Sequence, residues 1–444
     1  MKSINRGYLL VLIAFFIIIL ILFVFLFYCN RCKKQSSVPQ QGGNISWNIL
    51  FKEGTTKDTR EKVIKNIKQY VQDFYDDYNA INGTSFTPQD HVATCPCDTL
   101  LYNYDFLSIF GAGPSVTTAQ SSQTTEANGN ALISNNIPIT EPQKPVTRKT
   151  DNQYVIDSIP LFNKRIDTSK ILAIIDSGID PGLFTPSLDG LIWKDVVPAS
   201  TIYNFLPFQV QTNVMDATDG KHGSAVASVT MKTMENNAVY PRLMILKALN
   251  EKNQGSVFSV SCALSYAIQK KATIINLSLG YEGSEDSILH HYIGRCASVT
   301  PAIELFVAAG NMPAPHISSN FCLPNTSNQL NSARLFYPAC FSKDYDNVTS
   351  VTQMSNPKTG CYYQNYSNEY IKLGVLDTSN CCAIKVDFQR ISNYYEGSSF
   401  ATPVASGLRM GTLLQPSNWN SLIRIDPLKK VSIDGKYIMY SSNP

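Results

Sequence analysis

Short apolar runs alternate with helical stretches in the C-terminal part of the chain. Four runs of strand length are almost continuously apolar, which is typical of strands buried on both faces; they cover residues 171–175, 243–246, 274–279 and 303–308. Apolar residues recur at helical spacing in residues 224–234, 257–271, 286–299 and about 398–414. This alternation predicts an α/β domain with a mostly parallel sheet over residues 153–444. In such sheets the ligand site lies beyond the carboxyl ends of the strands.

The N-terminus carries a single long apolar run. Residues 8–28 contain no charge, glycine or proline. At ~1.5 Å per residue, a helix of this length spans about 31 Å, the thickness of a bilayer's hydrocarbon core. A cleaved signal peptide would have a shorter run followed by a small-residue cleavage site, and no such site follows. A buried core helix is the other alternative. We therefore predict an uncleaved transmembrane anchor at residues 1–34, which makes the lipid bilayer a partner.

Basic residues flank the predicted anchor on both sides. Lys2 and Arg6 precede it, and Arg31, Lys33 and Lys34 follow it, so the charge bias is nearly balanced. Because the segment before the span is very short, we favour a single-pass topology. The N-terminus is then inside, and the bulk of the chain is extracytoplasmic.

Two regions of different composition separate the anchor from the α/β domain. Residues 56–82 have apolar side chains at three- and four-residue spacing, and Gly83 supplies a stop, which predicts a helical N-terminal region at residues 35–110. Residues 111–150 contain no aromatic residue and no cysteine, and Ser, Thr, Gln, Asn and Pro dominate them. That composition is typical of a linker, which we place at residues 111–152.

Composition removes several classes of function. The 37 basic and 34 acidic side chains leave a net charge of +3, and no long basic run marks a nucleic-acid surface. The 11 cysteines among 444 residues are too few for a fold built on disulfides. No acidic cluster has a recognisable ligand spacing for a metal ion. We therefore predict a large folded domain without a nucleic-acid partner and assign no metal ligand.

Three short polar motifs lie at the ends of predicted elements. Asp176-Ser177-Gly178 ends the first apolar strand, His222-Gly223-Ser224 opens a helix, and the segment 397–403 opens the last helix. Each motif alone has an ordinary explanation: a turn, a lone histidine, or a serine helix cap with an early proline. Their order along the chain, Asp then His then Ser, is the order of one class of hydrolytic triad.

The chemistry gives each of these residue types one role. Attack on an amide needs a hydroxyl whose proton is removed, which makes Ser399 the candidate nucleophile and His222 the base and later the acid. Asp176 would hold the imidazole in one tautomer and stabilise its positive charge. Asn311 follows the apolar run 303–308, and its carboxamide can donate to the oxyanion together with the Ser399 N–H. Alone, an Asn after Gly would be a turn residue. These steps need no redox or organic cofactor.

The motifs resemble those of the subtilisin-like serine proteases, the subtilase family. The signatures of that family are Asp-Ser/Thr-Gly, His-Gly-Thr and Gly-Thr-Ser-x-Ala-x-Pro, and the resemblance covers residues 160–416. Serine replaces threonine at Ser224 and Ser398, and both residues keep a hydroxyl. The resemblance implies a three-layer subtilisin-like domain, Asn311 as the oxyanion residue, and structural calcium of the kind that the family often carries.

The resemblance also implies two edges that bind an extended peptide or protein substrate as a strand. Ser278-Leu279-Gly280 is similar to one edge of the family's cleft, and Gly255-Ser256 is similar to the other. Tyr281 stands where the family often has a second glycine, which leaves the preference of the adjoining pocket open. Many subtilases carry an inhibitory pro-segment, so residues 35–110 are either such a segment or a spacer and interaction module.

The sequence therefore predicts a membrane-anchored serine endopeptidase that forms an acyl-enzyme on Ser399. The alternative is a catalytically inactive membrane receptor or scaffold on the same fold, although inactive copies usually lose a triad member and none is lost here. An esterase would be expected to carry a Gly-x-Ser-x-Gly elbow, and Ser399 lacks the second glycine.

Overall fold

The structure is a computed structural model that describes residues 41–85, 90–109, 131–140, 148–149, 165–184, 191, 214–311, 328–356, 359–361, 364–378, 384–388, 391–415, 417–425 and 436–441. The chain divides into two compact units. The smaller unit comprises Met1–Ile45 and Leu107–Gly113, of which the structure describes the start of one strand and the end of another. The larger unit comprises Ser46–Phe106 and Pro114–Pro444 and contains every residue of the candidate site.

The described residues form strands that assemble into five sheets. In chain order the strands are β1 (Gln41–Phe51), β2 (Asp90–Cys95), β3 (Asp98–Ile109), β4 (Ala131–Asn135), β5 (Pro138–Thr140), β6 (Arg148–Lys149), β7 (Arg165–Asp176), β8 (Val239–Lys247), β9 (Gln254–Ser256), β10 (Ile274–Leu277), β11 (Tyr281–Glu282), β12 (Glu304–Ala308), β13 (Phe336–Tyr337), β14 (Val348–Asn356), β15 (Thr359–Gly360), β16 (Leu373–Asp377), β17 (Ile384–Phe388), β18 (Ile391–Tyr395), β19 (Ile423–Ile425) and β20 (Lys436–Tyr440).

The central sheet is mostly parallel, as the sequence predicts. Its order is β19-β20-β16-β14-β12-β10-β7-β8, with β15 beside β14. Neighbouring strands from β20 to β8 are parallel, whereas β19 and β15 are antiparallel to their partners. Strands β7, β8, β10 and β12 cover the four apolar runs, although β10 ends at Leu277, before the end of its run.

Strand β7 shows why the central strands are apolar on both faces. Ile171, Ala173 and Ile175 belong to one buried cluster, whereas Leu172 and Ile174 belong to another. Alternate side chains of a strand point to opposite faces, so each face of the sheet must be covered by its own layer. The predicted three-layer α/β architecture is thereby confirmed.

The helices supply these two layers. Among the described residues they are α1 (Lys57–Asn82), α2 (His222–Lys232), α3 (Val257–Gln269), α4 (Ser287–Ser298), α5 (Ser398–Leu414) and α6 (Trp419–Leu422), with 3-10 turns at Pro181–Leu183 and Ala339–Lys343. Helices α2 and α5 cover the face that carries Leu172 and Ile174, and α3 and α4 cover the other face. The bounds of α2 to α5 agree with the predicted helices to within two residues.

The N-terminal region contains a separate sheet, with the strand order β2-β3-β1-β4. Helix α1 begins after Thr56, whose side chain accepts a hydrogen bond from Thr59 N, and it ends at Gly83 in the left-handed region, φ 64°. The face that α1 buries repeats at four-residue spacing and consists of Val63, Ile67, Val71 and Tyr75. Burial of this face accounts for the helix that the sequence predicts.

Helix α1 is joined to the N-terminal sheet by Lys68. Its Nζ lies 2.9 Å from Asp90 Oδ2 and 5.9 Å from the ring centre of Tyr104. On the sheet, Trp47 packs edge-on against Phe106, with ring centres 5.0 Å apart. The region therefore combines a helix and a sheet with aromatic contacts between its strands.

The strands of the N-terminal region are the main departure from the predicted secondary structure. The sequence predicts one helix and a cysteine-containing turn in residues 35–110, whereas the structure adds strands β1 to β3. Strands β4 and β5 lie within residues 111–152, where composition predicts a linker. These strands owe their conformation to distant partners, since β4 pairs with β1 and β5 pairs with β9. The predicted domain boundaries remain predictions.

The predicted transmembrane anchor, residues 1–34, lies outside the described residues. Within the part that is described, no helix is both long enough and apolar enough to cross a membrane.

Candidate active site

The residues that the motifs single out lie at the carboxyl edge of the central sheet. Asp176 is the last residue of β7, His222 is the first residue of α2 and Ser399 is the second residue of α5. Asn311 follows shortly after β12 ends at Ala308. Asp176, His222 and Ser399 are each at most 2% exposed, so water is largely excluded from around them.

Asp176 and His222 form a direct hydrogen-bonded pair. His222 Nδ1 lies 2.7 Å from Asp176 Oδ1, which also accepts a hydrogen bond from Ser177 N at 2.7 Å. Because a carboxylate only accepts hydrogen bonds, Nδ1 carries the proton and Nε2 is the basic nitrogen of the ring. This is the tautomer that a general base facing a hydroxyl needs.

A close approach of two backbones makes this pair possible. A Cβ atom at Gly223 would lie only 2.3 Å from the carbonyl oxygen of Gly178. Gly223 N donates to Ser177 Oγ at 3.0 Å across the same contact. Any side chain at position 223 would push α2 away from β7, so the glycine after His222 is a packing requirement of the site.

Ser399 is fixed by a reciprocal pair of hydrogen bonds with Ser278. Pro403 has no N–H, so the carbonyl oxygen of Ser399, four residues earlier, receives no bond within the helix. Ser278 Oγ donates to that carbonyl oxygen at 2.7 Å, and Ser399 Oγ donates to the carbonyl oxygen of Ser278 at 3.2 Å. The proline of the last motif and the serine that follows β10 thus act together to hold Ser399.

The carboxamide of Asn311 is oriented by the start of α5. Its Oδ1 accepts from Ser398 N at 3.0 Å and from Ser398 Oγ at 3.1 Å, so the amide nitrogen is turned away from Ser398. That nitrogen would lie 3.0 Å from a Cβ atom at Gly397, whose φ of 132° is also unsuited to a side chain. The glycine of the motif leaves room for the Asn311 N–H groups.

The residue after Ser399 contacts the imidazole. The rings of His222 and Phe400 meet edge to face, with centroids 5.4 Å apart, and Phe400 also packs on Tyr395 at 4.6 Å. The structure therefore pairs Asp176 with His222 directly, and it brings the start of α5 against the imidazole through Phe400.

The two predicted substrate edges hold a segment of the same chain between them. Strand β5 pairs antiparallel with β9, with Ile139 opposite Gly255. On the other side, Thr140 N donates to Gly280 O at 3.2 Å, and Gly280 N donates to Thr140 O at 3.1 Å. Ile139 is fully buried. Gly255 and Gly280 therefore line a groove that accepts an extended strand.

The other residues predicted at these edges take different positions. Ser256 pairs with Pro138 and also caps α3 by accepting a hydrogen bond from Ser259 N. Leu279 is fully buried in the core, so it supports the edge from behind. Ser278 contacts Ser399, as described above.

The sequence predictions miss two buried charged residues that lie beside the first two motifs, Asp216 and Lys247. Asp216 precedes α2, and Lys247 ends β8 directly opposite Asp176; both are buried. Lys247 could have been recognised from the sequence, because it ends an apolar strand and polar residues at this edge of the sheet face the site. The segment around Asp216 resembles an ordinary polar turn, and nothing in its local sequence shows that its carboxylate is buried.

No metal centre is evident in the described ranges. None of their His, Cys, Asp and Glu side chains form a group of three or more that could hold an ion. Structural calcium therefore rests on family resemblance alone, and no step of the chemistry below depends on it.

The comparison that decides the family covers most of the α/β domain. A model of the subtilase family, Peptidase S8, matches residues 167–421, more than half of the chain. The chain belongs to the subtilase family. The family predicted from the motifs is thereby confirmed, and the matched range contains all three motifs of this subtilase.

Curated subtilases align with part of the chain. Subtilisin-like protease 1 of Plasmodium falciparum (isolate 3D7) is 28% identical over 276 residues, which cover 55% of this chain and 37% of that protein. Halolysin of Haloferax mediterranei is 27% identical over 223 residues, which cover 49% of this chain and 37% of that protein. The chain thus spans little more than a third of the length of these relatives.

A solved structure extends the likeness beyond the family domain. The epidermin leader peptide processing serine protease (EpiP) of Staphylococcus aureus superposes with a TM-score of 0.53 and 15% identity, covering 84% of this chain and 89% of that one. At this level of identity the match shows a shared fold, which agrees with the mostly parallel α/β sheet.

Proposed function

We propose that this subtilase is a serine endopeptidase that hydrolyses peptide bonds through an acyl-enzyme on Ser399. The Ser399 hydroxyl turns from Ser278 O toward the imidazole. His222 Nε2 then removes its proton as Oγ attacks the peptide carbonyl, and later gives that proton to the leaving amine. A water molecule, activated by the same nitrogen, releases the acyl group. The observation that carries the proposal is the buried 2.7 Å hydrogen bond between His222 Nδ1 and Asp176 Oδ1, which orients the base.

The developing oxyanion would be stabilised by two N–H groups. One is the carboxamide N–H of Asn311, and the other is the backbone N–H of Ser399 near the positive end of the α5 dipole. The two hydrogen bonds from Ser398 to Asn311 Oδ1 support this role, because they fix which end of the amide faces the reacting atoms.

The substrate would bind as an extended strand between Gly255 and Gly280. The segment Pro138–Thr140 already makes main-chain hydrogen bonds of this kind with both edges. Main-chain pairing supplies affinity with little dependence on sequence, whereas the pockets for alternate side chains supply preference. The full burial of Ile139 favours an apolar side chain at the position that pairs with Gly255.

The full-length chain tests the activity with two probes, a fluorogenic peptide and a fluorophosphonate. We expect Ser399→Ala to abolish both peptide cleavage and labelling, and His222→Ala to suppress both. Thr412→Val is a matched control, because it removes a buried hydroxyl near the far end of the same helix, where that hydroxyl donates to Arg409 O. Equal labelling of Ser399 in wild type and His222→Ala would remove the assigned base. Absence of cleavage and labelling in both wild type and Ile139→Asp, in which the cleft segment is disfavoured, would favour the inactive scaffold.

We further propose that residues 41–140 act as a pro-segment that occupies the cleft. Besides the strand pairing of β5, Ile137 O accepts from Val257 N at 3.0 Å, and Asn136 Oδ1 accepts from Phe258 N at 3.0 Å. These bonds satisfy N–H groups at the start of α3 that have no partner within the helix. The N-terminal region thus binds the α/β domain through the same surface that a substrate would use.

A second contact supports docking of the N-terminal region. Asp98, at the β2–β3 turn, accepts from Tyr292 Oη at 2.7 Å and from Arg295 Nη1 at 3.2 Å, both on α4. Charge-assisted hydrogen bonds of this kind are stronger than neutral ones. A spacer would have no need of such an anchored position, so the contact favours the pro-segment.

Charge placed at Ile139 tests the occupied cleft. We expect Ile139→Asp to raise peptide cleavage by the full chain, because a buried carboxylate without a partner disfavours the bound segment. Leu132→Asp is the matched control, since it introduces the same charge at a position that is 38% exposed in the neighbouring strand β4. Equal rates for the two variants would argue that the segment does not restrain activity.

The apolar run of residues 8–28 supports a membrane anchor for this protease. Under this proposal the N-terminus is inside, the α/β domain is extracytoplasmic, and the substrates are peptides or proteins near the membrane surface.

A further inference from the structure

Asp216 is a fully buried carboxylate that has no part in the chemistry proposed above. Every partner of its side chain is a hydrogen-bond donor. Its Oδ1 accepts hydrogen bonds from Ser177 Oγ at 3.1 Å, from Thr218 Oγ1 at 2.7 Å and from Thr218 N at 3.2 Å. Its Oδ2 accepts hydrogen bonds from Ser224 N at 2.9 Å and from Ser224 Oγ at 2.8 Å. The carboxylate is therefore hydrogen-bonded to the motif that contains Asp176, through Ser177, and to the motif that contains His222, through Ser224.

Each of the three hydroxyl groups has a second bond that leads to the motifs. Ser177 Oγ accepts from Gly223 N at 3.0 Å, Thr218 Oγ1 accepts from His222 N at 3.2 Å, and Ser224 Oγ accepts from Asp180 N at 2.9 Å. A hydroxyl has one proton to donate. Since each proton goes to Asp216, the remaining lone pairs are left to accept these backbone N–H groups, which fixes the direction of every bond in the network.

A buried lysine holds the same two chain segments by their carbonyl groups. Lys247 Nζ donates to the carbonyl oxygens of Ser177 and of Met215, the latter at 3.1 Å. Burial lowers the pKa of Lys247, and the nearby carboxylates of Asp216 and Asp176 oppose that shift. The network thus joins an amine donor and a carboxylate acceptor beside the catalytic pair.

We propose that Asp216 is a positioning residue for the Asp176–His222 pair. It acts through the hydroxyls of Ser177, Thr218 and Ser224 and through no reacting atom. The inference rests on the proposed peptidase function for its kinetic consequence but not for its geometry. Asp216 joins the end of β7 to the start of α2, so it sets the distance and angle at which the imidazole meets the carboxylate.

The network also explains a pattern in the motifs. The residue after Asp176 and the second residue after His222 each need a hydroxyl, because each must donate to Asp216 and accept an N–H in return. Serine and threonine both meet this requirement, whereas alanine does not. An asparagine at position 216 would keep one acceptor oxygen but turn an NH2 group toward donors, leaving buried groups unpaired.

The test uses the full-length chain with Asp216→Asn, Ser224→Ala and Ser224→Thr. Thr230→Val is the control, because Thr230 is a buried hydroxyl of the same helix that donates only to Val226 O. We expect Asp216→Asn and Ser224→Ala to lower kcat on the order of 10²-fold with KM unchanged, the effect of a small misplacement of a reacting group. Ser224→Thr should recover most of that loss, and Thr230→Val should retain wild-type kcat.

Histidine NMR provides a readout that does not depend on activity. The chain has five histidines, so ¹⁵N-histidine labelling resolves the Nδ1–H of His222 in its bond to Asp176. We expect that signal to shift or disappear in Asp216→Asn and Ser224→Ala and to persist in Thr230→Val. If wild type and the Ile139→Asp variant are both inert but the signal changes in this pattern, the peptidase proposal fails and the positioning role stands.

Three results would overturn the positioning role. The first is an unchanged His222 signal in both Asp216→Asn and Ser224→Ala. The second is a loss of kcat that Thr230→Val reproduces. The third is a Ser224→Thr variant that is as impaired as Ser224→Ala. If Asp216→Asn does not fold, the comparison of Ser224→Ala with Ser224→Thr decides the matter, because these two variants differ in the hydroxyl.

Discussion

The carbonyl oxygen of Ser399 depends on a hydroxyl from another element. In a helix without Pro403, an N–H four residues later would satisfy this oxygen, but here Ser278 Oγ does so at 2.7 Å. Because Pro403 has no N–H, the hydrogen bond to this oxygen comes from Ser278 at the substrate edge and not from the helix backbone. At the scale of single residues, the position of Ser399 is then a joint property of α5 and β10.

This dependence predicts the stability of two variants. Ser278→Ala should lower the free energy of unfolding by about 1–3 kcal/mol, because it leaves a buried carbonyl oxygen without a donor. Pro403→Ala supplies an N–H to that same oxygen, so the double variant should recover part of the loss. Urea denaturation of all three variants measures the coupling. Strictly additive effects would contradict the shared acceptor.

The oxyanion role predicts a kinetic effect for Asn311. Asn311→Ala should reduce kcat by roughly 10²–10³-fold, about 2.7–4 kcal/mol, which is the range known for loss of such a donor in subtilisin. KM should remain unchanged, because the donor acts on charge that develops only in the transition state. Steady-state kinetics on a peptide substrate provide the measurement. Undiminished kcat would remove the role.

At the scale of elements, the sequence predicts those that are buried on two faces. Strand β7 is recognisable because both of its faces meet helices, so no polar residue interrupts its apolar run. Strand β5 is not recognisable, because Pro138, Ile139 and Thr140 become a strand only by pairing with β9 and Gly280. Local composition carries no information about a partner more than a hundred residues away.

The residues of the candidate site likewise fall into those that the sequence predicts and those that it does not. Asp176, His222, Ser399 and Asn311 are predictable because family signatures surround them. Asp216 is not, because its role depends on hydroxyls that converge on it only in the folded chain.

Helix α1 allows a comparison between a buried and an exposed isoleucine. Ile67→Ala should destabilise the N-terminal region by about 2–5 kcal/mol, because Ile67 lies in the buried face. Ile81→Ala, at a position that is 82% exposed, should change its stability by no more than about 0.5 kcal/mol. Hydrogen exchange of β1 to β4 reports this local stability. Similar protection in the two variants would contradict the packing of α1.

Thiol reactivity should report docking of the N-terminal region. Burial raises the pKa of Cys97 to about 12, and burial together with a hydrogen bond to Cys95 raises the pKa of Cys262 on α3. Asp98→Ala removes charge-assisted hydrogen bonds worth about 1.5–3 kcal/mol, so opening should increase roughly tenfold or more.

Mass spectrometry after iodoacetamide treatment at pH 8 measures this effect. We expect faster alkylation of Cys97 and Cys262 in Asp98→Ala than in wild type. Cys340 is the internal control, since it is buried and its sulfur accepts a hydrogen bond from Phe336 N. A parallel increase at Cys340 would indicate general unfolding and contradict local opening.

At the scale of the whole molecule, the predicted anchor would determine where the protein is found. We expect the full chain to stay in the membrane pellet after alkaline carbonate extraction, and a chain that lacks residues 1–40 to stay in the supernatant. A helix of 21 apolar residues inserts effectively irreversibly, unlike a peripheral contact. Release of the full chain by carbonate would contradict an integral anchor.

The strand held between Gly255 and Gly280 is covalently tethered to the domain that binds it. A tethered ligand acts at an effective concentration on the order of millimolar when its connection is short and flexible. A peptide added at micromolar concentration therefore competes poorly until the resident strand leaves. If the pro-segment proposal holds, the apparent KM of the full chain would report departure of that strand as much as affinity for peptide, and cleavage would begin only after a lag.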